Sequence, residues 1–229
     1  MFYLAPHPPL DRPRRGSPRM FTIDWVEKYF SRVKWWHVPL IWLPTAAYVT
    51  WRSLHLGAPA LTVAAVVALG VLGWTFLEYM LHRYVFHFEP NPKKEWQVDL
   101  SWLIHGIHHD YPWDGDRLVM PPTVTALVSL LLWAPINLAF GHVLNGAFWA
   151  GLLLGYIAYD LTHYYLHHAV PTTAMGKWLR RYHLVHHFST PEVRYGITTP
   201  LWDHVFRTYP KDKYAGITET KVNELESHA

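Results

Sequence analysis

Four apolar runs constrain this chain more than any other feature of its 229 residues. Pro59–Leu81 (PALTVAAVVALGVLGWTFLEYML) carries one charge, Glu78, near its end. Pro121–Phe140 (PPTVTALVSLLLWAPINLAF) and Val143–Tyr159 (VLNGAFWAGLLLGYIAY) carry none, and the latter runs straight into Asp160. Val38–Trp51 (VPLIWLPTAAYVTW) ends at Arg52. Crossing a bilayer takes about 20 apolar residues in a helix. The second and third runs in chain order reach that length outright, and the first and fourth reach it with their flanking aromatic and polar residues. The expectation is an all-α integral membrane protein with about four transmembrane helices, rather than four buried helices of a soluble bundle.

Charge placement gives this arrangement a direction. If four spans cross, residues 1–37, 82–120 and 160–229 share one side. Those segments hold every one of the 20 Lys and Arg residues except Arg52. An excess of Lys and Arg marks the cytosolic side, so both termini are expected there. Residues 1–20 are rich in Pro and Arg and lack the apolar core of a cleavable signal. Segment 21–36 (FTIDWVEKYFSRVKWW) places Phe21, Trp25, Tyr29 or Val33, and Trp36 at helical spacing, which reads as an amphipathic helix lying on the membrane surface. The whole chain, 1–229, reads as one domain. Residues 1–37 form an N-terminal segment, 38–160 hold the spans and an intervening His-rich loop, and 161–229 form a His-rich cap and a polar tail that includes Thr218–Glu226.

The histidines are not scattered. Of 17, eleven fall in four tight clusters, all on the inferred cytosolic side. His82 and His87 form HxxxxH; His105, His108 and His109 form HxxHH; His163, His167 and His168 form HxxxHH; His183, His186 and His187 form HxxHH. On a helix advancing about 100° per residue, rings three or four residues apart share a face within about 60°. His105/His108, His183/His186 and His163/His167 can therefore each aim in one general direction. The adjacent pairs His108/His109 and His186/His187 diverge by about 100°, which suits one ligand for each of two neighbouring metal ions. His82 and His87, about 140° apart on an ideal helix, either serve different metals or need a distorted turn.

Ten imidazoles exceed what one ion binds, since a structural zinc takes about four ligands. Two ions with about five nitrogens each is the economical reading. The candidate ligands are His82, His87, His105, His108, His109, His163, His167, His183, His186 and His187, with His168 behind them as a supporting residue. With no Cys in the chain, the centre is built on nitrogen. Neutral imidazole suits iron, zinc, copper and nickel alike. His7, His37, His55, His142, His204 and His228 stand alone and read as bystanders. Glu78, four residues before His82, and Asp160, three before His163, end otherwise uncharged spans. Carboxylates near a bilayer are costly and usually paired or functional, and the expected role is to orient a ligand imidazole through its other ring nitrogen.

The strings FLEYMLHRYVFH, LIHGIHHDYPWDGDRLVMPP, YDLTHYYLHHAVP and YHLVHHFS…YGITTPLWDHVFRT resemble the fatty acid 2-hydroxylases of the fatty acid hydroxylase and sterol desaturase superfamily, from about Pro9 to Pro210. The bare His pattern is shared with desaturases, sterol methyl oxidases and carotenoid hydroxylases; DGDRLVMPP and the stretch from YHLVHH to LWD are more specific. The resemblance implies a four-helix membrane anchor under cytosolic helices that surround a two-metal centre held by the same ten histidines. It implies O2-dependent insertion of oxygen at carbon 2 of a long acyl chain, in ceramide or a free or CoA-linked acid. Electrons would come from NADH or NADPH through cytochrome b5 and its reductase. The implied membrane is the endoplasmic reticulum in a eukaryote and the inner membrane in a bacterium.

Three departures accompany the resemblance. Many members carry a fused cytochrome b5 domain with a His-Pro-Gly-Gly signature, whereas this chain has only His7-Pro8-Pro9, so cytochrome b5 is expected either to act in trans or to belong to a part of the protein outside this sequence. Trp113 stands where Met is commoner, and Arg207 where Gly is usual before Thr208. An unactivated C–H bond needs redox chemistry that zinc lacks, so the expected working metal is iron, with zinc a substitute in purified protein. The competing readings are a desaturase or a sterol or carotenoid oxidase on the same scaffold, separated by product, and a non-catalytic membrane metal protein. The last would put ionisable residues in mid-span, where these runs have almost none.

Overall fold

A computed structural model describes Leu4 and residues 15–211; the sequence readings for His7, His228 and the Thr218–Glu226 tail lie outside the described residues. The described chain is helical: α1 Asp24–Phe30, α2 His37–His55, α3 Ala60–Met80, α4 Glu95–Ser101, α5 Ile107–Asp110, α6 Pro122–His168, α7 Ala174–Phe188 and α8 Leu201–Val205. Two π-helical turns, Leu81–Phe86 and Trp102–Gly106, continue α3 and lead into α5. No β-strand forms among the described residues, only a single bridge between Leu4 and Phe21.

The apolar runs become α2, α3 and the two halves of α6. Pro59 precedes α3, and Pro121 and Pro122 open α6, positions where a missing N–H costs nothing. The third and fourth runs join with no loop between them: one residue, Gly141, leaves helical geometry at φ 65° and ψ 178° and turns the chain back. Trp74, Ile136, Leu152, Tyr156 and Tyr159 form the main apolar core between α3 and α6, with Val38 of α2 against it. Opposite the His-rich end, Arg52 donates to the His142 carbonyl and to Asn145 Oδ1, both at 3.1 Å.

The helices present their apolar side chains outward. Ala60–Phe86 and Pro122–His168 are long and apolar enough to cross a membrane, yet only 17% and 11% of their most apolar windows are buried. Core helices of a soluble bundle would be covered, so this surface is that of a membrane protein.

The surface helix expected over 21–36 is shorter than the spacing suggests. It covers Asp24–Phe30 and stops at Ser31. Trp25, Tyr29 and Trp36 are exposed, and the residue α1 buries is Glu27. The reason is ionic. Glu27 accepts the Met20 and Phe21 N–H groups at 3.0 and 3.1 Å and pairs with Arg32 and Arg117, while Arg117 also pairs with Asp114 at 2.7 Å. Beyond α1, the Val33 N–H donates to the Asp116 carbonyl at 2.7 Å, which straightens the chain where a helix was expected.

Two predictions follow from these attachments. An Ala at Gly141 meets no atom within 4 Å, so its whole cost is backbone strain; Gly141→Ala is expected to lose about 1–3 kcal/mol in thermal denaturation in detergent. Burial alone would push the Glu27 carboxyl up, but the N–H groups of Phe21 and Met20 and the Arg117 charge hold it below its ordinary value. A depressed folded pKa stabilises the attachment above the unfolded value, and the gain is lost as pH falls through the folded one. Limited proteolysis between residues 15 and 35 is expected to accelerate on acidification, and Glu27→Gln to remove that dependence.

Candidate metal centre

All four His clusters converge at one end of the α2, α3 and α6 helices. Ten imidazoles divide into two groups of five, His82, His87, His105, His109 and His186 in one and His108, His163, His167, His183 and His187 in the other. Within each group one nitrogen per ring lies within 4.8 Å of all the others. The groups adjoin: the His109 and His187 rings stack across the boundary with centroids 4.2 Å apart.

Backbone geometry decides which histidines share a group. His105/His109, His163/His167 and His183/His187, each four residues apart, stay together. The adjacent pairs His108/His109 and His186/His187 split between groups, as the 100° step suggests. His105/His108 and His183/His186, three apart, also split although each pair shares a helix face, because the two groups lie side by side along that face. His82 and His87 enter one group through the distorted turn. In the π-helix Leu81–Phe86 the His87 N–H donates to the His82 carbonyl at 3.1 Å, so residues five apart stand above one another.

The nitrogens are arranged for a cation. His82 Nδ1 lies 2.6 Å from the Tyr195 carbonyl and His186 Nδ1 2.8 Å from the Val193 carbonyl. A carbonyl only accepts, so in both rings Nδ1 carries the proton and Nε2 offers its lone pair to the site. Those Nε2 atoms then face other Nε2 atoms: His82 to His105 at 3.2 Å, His186 to His87 at 3.0 Å, His109 to His105 at 3.1 Å, and His167 to His183 at 2.8 Å. With metal–nitrogen bonds of about 2.1 Å, neighbouring ligands at a right angle sit about 3 Å apart. In the second group His108 Nε2 and both nitrogens of His163 and His187 are buried without a hydrogen-bond partner. Each would cost about 1–3 kcal/mol if left so, and a bound metal ion would satisfy one nitrogen of each of these rings. Burial pushes His105, His108, His109, His183, His186 and His187 well below the ordinary imidazole value, aided by neighbouring imidazoles, which keeps them neutral and able to ligate.

The remaining candidates land differently. His168 is exposed and packs on Tyr164 with ring centroids 4.3 Å apart, outside both groups. His55 and His204 stack on Trp51 and Tyr209, His37 meets Trp36 edge-on, and His142 sits beside Arg52, so none of the four joins a group. Neither carboxylate touches an imidazole in the way the spacing suggests. Glu78 Oε1 accepts the N–H groups of Ile197 and Thr198 at 2.6 and 2.9 Å, and Oε2 accepts the Thr198 hydroxyl at 2.6 Å. Asp160 accepts the Met120 N–H at 3.2 Å. Both carboxylates hold loops. Glu78 still reaches His82, but through the loop whose Tyr195 carbonyl orients that ring.

Asp203, which the sequence did not single out, holds the other end of this loop. It accepts the Tyr195 and Gly196 N–H groups at 2.9 and 2.7 Å and the Thr208 hydroxyl at 2.7 Å. A Cβ on Gly196 would lie 2.1 Å from the Thr199 carbonyl oxygen and 2.9 Å from Asp203, so only glycine lets the carboxylate close. Arg207 takes φ 58°, where glycine is at ease and other residues are strained by about 1–2 kcal/mol. Backbone geometry, rather than ligand contact, is therefore reason enough for the glycine that the resemblance implies here. Trp113 stacks on Phe188 with centroids 5.9 Å apart.

Comparison with known proteins agrees with this geometry. The residue pattern of the fatty acid hydroxylase family matches residues 67–208, a stretch that holds all ten grouped histidines. The chain belongs to the fatty acid hydroxylase family. It is 45% identical over 199 residues to a dihydroceramide fatty acyl 2-hydroxylase of Arabidopsis thaliana, covering 87% of this chain and 83% of that protein. It is 35% identical to the fatty acid 2-hydroxylase of Mus musculus over 221 residues, 88% of this chain and 58% of the mouse protein. Among solved structures, full-length Scs7p, with only its hydroxylase domain visible, superposes with a TM-score of 0.82 at 32% identity, covering 90% of this chain and 78% of that one.

The loop assignment makes the Glu78 variants informative. Glutamine keeps an oxygen for the two backbone N–H groups and leucine keeps none. Glu78→Gln is therefore expected to retain most bound metal and Glu78→Leu to lose it, as elemental analysis of purified protein would show; equal loss in both would remove the loop from the account.

Proposed function

We propose that this chain is a membrane-bound, O2-dependent fatty acyl 2-hydroxylase that acts on the N-acyl chain of ceramide or on a free or activated long-chain acid. The observation that carries the reading is a cavity of about 300 Å³ between α1, the π-helical turns and the start of α6. Its wall includes His105 from one group and His108 and His163 from the other, facing Phe86, Leu103 and Val124. An apolar chamber that opens on both histidine groups suits an acyl chain whose first carbons must meet them. The printed names of the Arabidopsis and mouse relatives, dihydroceramide fatty acyl 2-hydroxylase and fatty acid 2-hydroxylase, support the same reaction.

The ten grouped histidines are the proposed ligands of two metal ions, and one domain carries them all. Bound iron would supply the redox chemistry that activates O2 toward a C–H bond. One oxygen atom would enter the substrate and the other leave as water, with two electrons drawn from cytochrome b5 and its reductase and two protons from solvent. The protein's own part is positional. Glu78 and Asp203 fix the loop that orients His82 and His186, and Asp160 fixes the chain at Met120. Arg117, on the cavity wall, has its charge balanced by Glu27 and Asp114, so a neutral amide meets no bare cation there. His168 is proposed to support the site from outside, against Tyr164. Zinc outcompetes ferrous iron at nitrogen sites and would fill them in purified protein without turnover.

The proposed topology has four crossings, α2, α3 and the two halves of α6, with the histidines on the cytosolic side of the endoplasmic reticulum or of a bacterial inner membrane. The Lys and Arg bias supports that orientation. Reconstitution with ferrous iron, cytochrome b5, its reductase and a ceramide is expected to yield product heavier by one oxygen at carbon 2. A desaturated acyl chain would point to the sister desaturase chemistry, and unchanged lipid with both a ceramide and a free or CoA-linked long-chain acid would overturn the hydroxylase reading. His186→Ala and His187→Ala, in different groups, are each expected to lower the metal content from two ions per chain toward one and to abolish turnover. A fully active, fully loaded His186→Ala would remove it as a ligand.

A further inference from the structure

Two more cavities lie in the helical region below the histidine centre, and they connect to the first through shared walls. Met120 lines both the cavity at the histidines and a narrow slot of about 20 Å³ between the start of α6, its second half and α3. Ser129, Trp149 and Leu153 line both that slot and a larger groove of about 840 Å³ between α2 and the two halves of α6. The three volumes follow one another along α6, away from the histidines. The groove ends among Arg52, Asn137 and Asn145. From Pro122 to Asn137 the helix rises roughly 20 Å, the length of an extended acyl chain of about 16 carbons.

Met120 is the partition, and its backbone is fixed on both sides. Its N–H donates to Asp160, and its carbonyl accepts the Tyr156 hydroxyl at 3.1 Å. Both partners belong to the second half of α6, so the backbone cannot drift while the unbranched side chain can change rotamer. On another wall of the histidine cavity Arg117 is held in place by its ion pair with Glu27. Among these walls, the partition that yields most easily is a methionine side chain.

We propose that Met120 and the slot beneath it set acyl chain length: shorter chains end in the histidine cavity, and longer ones displace the Met120 side chain and run through the slot into the α2–α6 groove. The polar residues at the far end of the groove set the upper limit, because a methyl terminus gains nothing by reaching them. The assignment rests on the hydroxylase reading for its substrate class, and its test has an arm that needs no turnover.

In that arm, ceramides with a photoreactive group at the acyl terminus, of about 16 and about 24 carbons, are cross-linked to the purified full-length chain. The longer probe is expected to label α6 near Ser129 and Trp149, and Met120→Trp to suppress that labelling. Labelling confined to α1 and the π-helical turns would overturn the route. In the second arm, iron-loaded enzyme supplied with electrons receives both ceramides in competition, with metal content per chain confirming intact folding. Met120→Ala is expected to raise the ratio of long to short product on the order of tenfold, and Ser129→Phe to lower it by a similar factor. A ratio unchanged in both variants overturns the proposal. If the slot is labelled but no lipid is oxygenated, the route stands and the hydroxylase reading fails.

Discussion

Lone pairs of like character converging within a small volume are the constraint on which the rest of this structure depends. Four pairs of imidazole Nε2 atoms approach to between 2.8 and 3.2 Å, and in two of those rings the proton is committed to a backbone carbonyl. Where both facing nitrogens lack a proton such a contact is repulsive, and a cation among them would relieve it. The protein therefore has to hold its rings together from behind, by packing and by loops tied to buried carboxylates. Glu78, Asp160 and Asp203 all serve this purpose, and all three bind backbone N–H groups rather than imidazoles.

Much of this was legible in the sequence. Three of the four apolar runs became helices within a few residues of their expected ends, the fourth ran nine residues further to His168, and the histidine clusters converge at one end of the helices. Helical spacing also anticipated the division of His108 from His109 and of His186 from His187. What spacing could not supply was the backbone deviation that brings His82 to His87, because a π turn has no sequence signature comparable to a heptad or a cap. It also could not show that rings three residues apart would be shared between two adjacent groups.

The non-local contacts were out of reach for a different reason. Glu78 and Asp160 stand out in the sequence by their cost near a bilayer, but their partners lie about 120 and 40 residues away in sequence. Nearest-neighbour reasoning assigned them to the closest histidine. Asp203 sits in a short helix of ordinary composition and gave no signal at all. The α1 segment failed in the opposite sense: its aromatic residues fit a helical face, yet the face that packs belongs to Glu27, because an ion-pair cluster around Arg117 outweighed the apolar stripe.

The turn at Gly141 has a further consequence. α2 and α3 are joined by residues 56–59, and the halves of α6 by one residue, so among the described residues the end remote from the histidines consists of almost nothing but helix tips. Nearly all the irregular chain, and with it the variety of surface that recognition requires, lies at the other end. Such a protein is blind on one side. An antibody or a protease approaching from there would meet few loops among the described residues.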